Sequence, residues 1–237
     1  MPSPPTAPFS QQQAARLISE LSTQQSSIVS FHGVGKLRFK DPKGTSEANL
    51  LAVGSRPFRI RVEISHPWGK PLFFVVADGD TTSVLSLVEH KFFRGRSSEL
   101  PIQRLFLLRL DLSSLWQILA GKAPVLPHWR ALSSKPYEIA LLDSTGAVTE
   151  VISFYPRSLL PRSVRFPEHG IAVMFSDFRE GEWGRNPGRI KIAIYEGNQD
   201  VEIRYDRLTF NKPIPDEVFR LEAPPDFEVI ELSYRGE

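Results

Sequence analysis

Reactive side chains are present in this sequence, but no group of them stands at a spacing that builds a catalytic centre. The five histidines, His32, His66, His90, His128 and His169, lie far apart and lack the short intervals of a metal site. There is no G-x-S-x-G elbow, Walker loop, H-E-x-x-H pair or G-x-G-x-x-G turn following a strand. Glu180 and Glu182 flank Gly181 in a loop, where paired carboxylates are more often solvated than an acid–base couple. The absence of cysteine excludes a disulfide framework, a thiolate metal site and a cysteine nucleophile. No catalytic residue, metal or cofactor is expected, and the chain reads as a protein that is not an enzyme.

The remaining chemistry is the transfer of apolar surface out of water. Trp68 sits at the tip of a hairpin in the run Ile64-Ser65-His66-Pro67-Trp68-Gly69-Lys70-Pro71-Leu72, where Pro67, Gly69 and Pro71 stop both flanking strands. A ring carried out on such a loop either folds back over its own core or meets a membrane or another apolar surface, where its N–H stays wet.

The elements that position this loop alternate with period two. A helix comes first: Ser10 and Gln13 form a capping box, and Ala14, Leu17, Ile18 and Leu21 recur at helical spacing. Strand candidates follow at 31–40, 59–65, 72–78, 82–88 and 90–94, with Asp78-Gly79-Asp80 as a hairpin turn. Pro101 opens a short helical run through Leu105 and Phe106. Asp111 then caps a second helix carrying Leu112, Leu115, Trp116 and Leu119, which ends at Gly121. After a loop over 123–135, strands are expected at 137–142, 148–155, 160–166, 171–176, 189–195 and 200–210. About ten strands and two or three helices do not pair as βαβ units. The expected fold is mainly β: an incomplete, strongly curved antiparallel β-barrel with helices covering the concave side.

With 237 residues, 41% of them hydrophobic, the chain can bury a sizeable core, and no internal linker divides it. Residues 1–8 are proline-rich and read as an extended tether, and 9–237 as a single domain. The 29 basic residues nearly balance the 27 acidic ones, so nucleic acid is not an expected partner. Clusters such as Arg56 to Arg61 and Arg185 to Lys191 read as solvated strand faces. No apolar run reaches the roughly 20 residues that span a bilayer. The tether suits a protein held away from an anchor, and we expect that a signal peptide and a lipid-modified cysteine preceded it and were trimmed, with Met1 added for expression. Phe31, Leu37, Phe39, Ile60, Val62, Ile64, Phe74, Val76, Leu85, Leu87 and Phe93 can line one concave face, opposite Leu112, Leu115, Trp116 and Leu119. By pattern alone that face is either a filled core or a lipid-binding cavity.

Three segments, in order, resemble the bacterial lipoprotein-localisation (LolA/LolB) superfamily. Phe31-His32-Gly33-Val34-Gly35-Lys36-Leu37 is similar to its opening strand and is followed by Ile64-Ser65-His66-Pro67-Trp68-Gly69. The run from Leu112 to Pro124 resembles the central helix of the outer-membrane receptor branch, and that from Ile214 to Ile230 the ending of the soluble carrier branch. The resemblance implies a half-barrel whose cavity accepts lipoprotein acyl chains or other lipids. It also implies membrane insertion by Trp68 at the position of the receptor's apolar loop residue. The expected partners are therefore such lipids, the outer membrane surface and a periplasmic carrier protein. The expected location is the periplasm, anchored to the outer membrane as a lipoprotein. An outer-membrane-associated scaffold that holds a protein partner on the same curved sheet is the alternative.

Overall fold

The computed structural model describes residues 7–79, 81–96 and 110–232. Helix α1 (Gln11–Ser26) begins at the expected capping box. The Ser10 hydroxyl accepts the Gln13 N–H at 3.2 Å and the Gln13 side chain accepts the Ser10 N–H at 2.9 Å. Six strands follow: β1 (Ser30–Asp41), β2 (Gly44–Ser55), β3 (Arg59–Ser65), β4 (Pro71–Asp78), β5 (Thr81–Ser86) and β6 (Lys91–Arg96). Helix α2 (Leu112–Leu119) is capped by Asp111, whose carboxylate accepts the Ser114 N–H at 2.9 Å. Eight more strands complete the fold: β7 (Arg130–Leu132), β8 (Glu138–Leu142), β9 (Val148–Phe154), β10 (Pro161–Phe166), β11 (Ile171–Gly181), β12 (Gly184–Ile194), β13 (Gln199–Phe210) and β14 (Glu228–Leu232). The helical run expected after Pro101 lies outside the described residues, as do residues 1–6 of the tether.

The fourteen strands among the described residues form one sheet in the order β14-β6-β5-β4-β3-β2-β1-β13-β12-β11-β10-β9-β8-β7. Every pairing is antiparallel except β14 on β6. The edge strands β14 and β7 do not meet, so the barrel is incomplete. Strands β2, β7 and β14 were not expected. The last two are short, and β14 pairs in parallel with a strand more than a hundred residues away, so no local turn announces it.

The register builds continuous apolar rows on the inner face. One runs Phe210, Phe31, Gly54, Ile60, Ala77, and another Val62, Val75, Val84, Phe93. Against these rows α2 buries Leu115, Trp116, Ile118 and Leu119. Two glycines make room for it. A Cβ on Gly33 would fall 2.5 Å from the Tyr205 ring, whose hydroxyl crosses to donate to the Leu119 carbonyl at 2.7 Å. A Cβ on Gly54 would strike the Phe31 ring and lie 2.7 Å from the Trp116 indole nitrogen.

The outer face carries a second apolar cluster, Val53, Val76 and Phe219. It is covered by the chain between β13 and β14. Arg59 pairs with Asp216 at 2.7 Å and lies 4.6 Å over the Phe219 ring, while Arg61 donates to the Val218 carbonyl at 3.0 Å. Two members of the basic cluster expected to be a solvated strand face, Arg59 and Arg61, are thus the seam that holds the C-terminal segment down.

This cover explains a correction to the expected inner face. Val76 belongs to the outer cluster, and Phe74 shares its phase on β4. Leu85 pairs with Phe74 and also points outward, and Leu87 lies in the turn beyond β5. Every residue from Leu72 to Ala77 is apolar, so alternation alone assigns no inner phase. The pairing of Val75 with Val62 and of Ala77 with Ile60 decides it. The substitution Gly54→Val should lower unfolding stability by about 1–3 kcal/mol or more through overpacking against Phe31 and Trp116, read as a shift in the denaturant midpoint.

Candidate functional site

Antiparallel pairing sorts the connections into two ends of the half-barrel. The turns at 42–43, 66–70, 87–90, 143–147, 167–170 and 195–198 all emerge at one end, here the loop end. Helix α1 lies at the other. Phe9, just before it, packs edge-on against Phe154 and Tyr137 at the far ends of β9 and β8.

That helix end is closed by the chain's own side chains. Ala14, Ile18 and Leu21 of α1 are buried in the core, and the Gln25 amide donates to the Ala123 carbonyl. Arg56 donates to the Gln25 carbonyl at 3.0 Å, with its guanidinium 4.7 Å from the rings of both Phe58 and Trp116. Trp116 is wholly buried and meets Phe31 edge-on at 5.2 Å. Burial pushes the Lys122 ammonium down to about 8, and its Nζ donates to Asn186 at 2.7 Å beneath the Phe210 ring.

The loop end is different. On the same inner face Leu37, Phe39, Ile64, Phe93, Leu110 and Leu112 are only partly buried. Leu37 and Phe39 approach the turn after β1, Ile64 is the last residue but one of β3, and Phe93 follows the turn before β6. Trp68 stands on the adjoining turn and is 85% exposed. Its loop is fixed by hydrogen bonds of 2.7 Å from the His66 N–H to the Lys70 carbonyl and from the Gly69 N–H to the His66 carbonyl. The His66 ring leans on the indole at 4.3 Å.

The structure therefore separates the residues expected to line the inner face into three groups. Phe31, Ile60, Val62, Leu115, Trp116 and Leu119 form the filled core. Leu37, Phe39, Ile64, Phe93 and Leu112 ring the loop end. Phe74, Val76, Leu85 and Leu87 do not join them.

One polar residue of this inner face escaped the sequence analysis. Glu150 is fully buried on β9, in phase with Ile152 and Phe154, and that phase was the available signal. One carboxyl oxygen accepts the Leu126 N–H at 2.8 Å and the other has no hydrogen-bond partner among the described residues. Burial pushes the carboxyl up to about 8, opposed by the Leu126 hydrogen bond and assisted by the nearby Asp111 carboxylate. It is thereby kept neutral through the acidic range, and it pins the strand of chain that returns from α2 to the loop end. A separate open cleft of about 630 Å³ lies at the helix end, lined by Tyr155, Leu160 and Phe178 with Arg157 and Arg185, and contains none of the expected residues. No helix among the described residues is long and apolar enough to cross a membrane, and no cluster of ligating side chains among them could hold a metal.

No family model matches the sequence, and no curated protein matches it. Solved structures do match its fold. A LolA superfamily protein from Nitrosomonas europaea aligns with TM-score 0.57 at 13% identity, covering 88% of this chain and 97% of its own. An outer membrane lipoprotein-sorting protein domain from Vibrio parahaemolyticus aligns with TM-score 0.56 at 9% identity, covering 89% and 97%. A DUF1329 family protein from Desulfovibrio piger aligns with TM-score 0.54 at 9% identity over the same shares. The chain has the LolA/LolB-like fold.

Glu150 fixes a pH dependence. Its folded value lies above that of the unfolded chain, so the folded state binds the extra proton and stability falls as pH rises from about 4.5 to about 8. Glu150→Gln keeps the acceptor for Leu126 without a charge. It should match the parent protein near pH 4.5 and exceed its stability by on the order of 2–4 kcal/mol at pH 8, measured by denaturant unfolding at both values.

Proposed function

We propose that this protein binds the acyl chains of lipoproteins, or related lipids, at the loop end of the half-barrel and delivers them to the outer membrane without covalent chemistry. One observation carries the reading: the partly exposed apolar ring of Leu37, Phe39, Ile64, Phe93 and Leu112 lies at the same end of the sheet as Trp68. Each methylene moved from water into such a site gains about 0.8 kcal/mol, so a multiply acylated anchor does not cross an aqueous gap unaided. An apolar face preformed by the fold replaces the bilayer during transit. Trp68 then holds the opening against the acceptor membrane, its ring in the interfacial layer. In this scheme the protein works in the periplasm, tethered to the outer membrane through its N-terminal segment, and receives cargo from a soluble carrier.

The filling of the helix end by Trp116, Phe31 and Ile118 favours a second reading, a scaffold that binds a protein partner on the curved sheet and carries no lipid. Native mass spectrometry of protein purified from its own host separates the two. Bound lipid supports the first, and a fixed protein partner with no lipid supports the second.

Two measurements test the lipid reading directly. A hydrophobic fluorescent probe should bind the purified protein and be displaced by fatty acid, and Phe93→Asp should weaken uptake by roughly tenfold or more, the cost of placing a charge in an apolar site. No uptake by the parent protein would sink the proposal. Trp68→Glu should leave the unfolding midpoint unchanged, since surface substitutions lie within about 0.5 kcal/mol, while lowering liposome association. Undiminished association would remove the role given to this residue.

A further inference from the structure

We infer that the loop end meets the bilayer as a rim with three aromatic contacts, Trp68, Trp129 and Tyr195, an inference that rests on the delivery reading above. Tryptophan is a residue that folding usually hides, yet two of the four here are almost wholly in water: Trp68 at 85% exposure and Trp129 at 80%. Tyr195 is 66% exposed. Nothing in their sequence intervals relates them. The register does: Trp68 lies between β3 and β4, Tyr195 follows β12 and Trp129 precedes β7, and each of these positions is at the loop end.

All three are presented from anchored backbone. The Trp129 N–H donates to the Leu142 carbonyl at 2.8 Å, and the chain just before it is pinned through Leu126 to Glu150. The Tyr195 N–H donates to the Gly170 carbonyl at 3.0 Å. The Trp68 turn is braced from the side by Asn49, whose amide donates to the His66 carbonyl at 2.9 Å. The ordering entropy of these loops is therefore largely met before any surface is touched.

Their spacing along the sheet gives the contact its purpose. Four strand intervals separate β3 from β12 and five separate β12 from β7, roughly 19 and 24 Å of sheet width at about 4.8 Å per interval. A single inserted ring leaves the half-barrel free to tilt. Three contacts spread along a curved edge define a plane and hold the partly exposed apolar ring flush with the membrane. The partner is a lipid surface rather than an acidic one, because Lys43, Lys70 and Arg130 at this end are interspersed with Glu89, Glu168 and Glu196. Binding should accordingly change little with salt.

The test uses the full chain with Trp183→Phe throughout, so that the only tryptophans are the buried Trp116, unquenched and constant, and one outward ring. In one variant Trp129→Phe leaves Trp68, and in the other Trp68→Phe leaves Trp129. Each is mixed with phosphatidylethanolamine–phosphatidylglycerol vesicles bearing brominated acyl chains. Quenching of both outward rings is expected, in low salt and in 0.5 M salt at about the same extent, and Trp129→Glu and Tyr195→Glu should each weaken vesicle association by roughly tenfold. Quenching of Trp68 with Trp129 unquenched overturns the three-point rim and leaves the delivery reading standing. Quenching of neither overturns both. Quenching that disappears in high salt assigns the contact to charge and overturns the rim as drawn.

Discussion

Seating of α2 in the half-barrel is the interaction on which the rest depends. An open fourteen-stranded sheet has an inner apolar face too wide to leave in water. Trp116 fills the helix end of that face only because Gly54 carries no side chain, and Gly33 lets the Tyr205 ring lie close enough to hold the end of α2 by its hydroxyl. Phe31, Phe58 and the Arg56 guanidinium then close around the indole. Gly33 on β1 and Gly54 on β2 are thus packing residues for a helix that follows them by about sixty positions or more.

That seating divides the molecule into two unlike ends. At the helix end α1, α2 and Arg56 fill the space and fix the curvature. At the loop end the same apolar rows continue without full cover and reach a rim of short, hydrogen-bonded turns. Closure at one end and incomplete burial at the other are compatible because a rigid, close-packed base lets the opposite end stay apolar without collapsing.

Local chemistry was legible in the sequence and remote pairing was not. Both helix caps, the amphipathic faces of α1 and α2 and the Pro-Trp-Gly turn are set by residues within a few positions of one another, and each lies where the pattern put it. The phase of β4 could not be read, because Phe73 and Phe74, or Val75 and Val76, are equally apolar. Only the register with Val62 and the distant arrival of Phe219 on the outer face distinguish them. Trp129 carried a faint echo of Trp68 in its Pro127-His128-Trp129 setting, but the sequence offers no way to see that both reach the same end. Glu150 is the converse case, a charge-bearing residue in an apolar phase, which local pattern flags and only the fold explains.

The chain enters the domain at Phe9, on the side remote from the rim, and this imposes a requirement of reach. Strand β1 alone spans twelve residues, about 40 Å along its length and roughly 30 Å in height once barrel tilt is allowed for. A leash that fastens Phe9 to a membrane must therefore pay out about nine or ten fully extended residues before the rim can touch that same membrane. A shorter leash would hold the domain upside down, with the loop end turned away from that membrane and toward the aqueous gap.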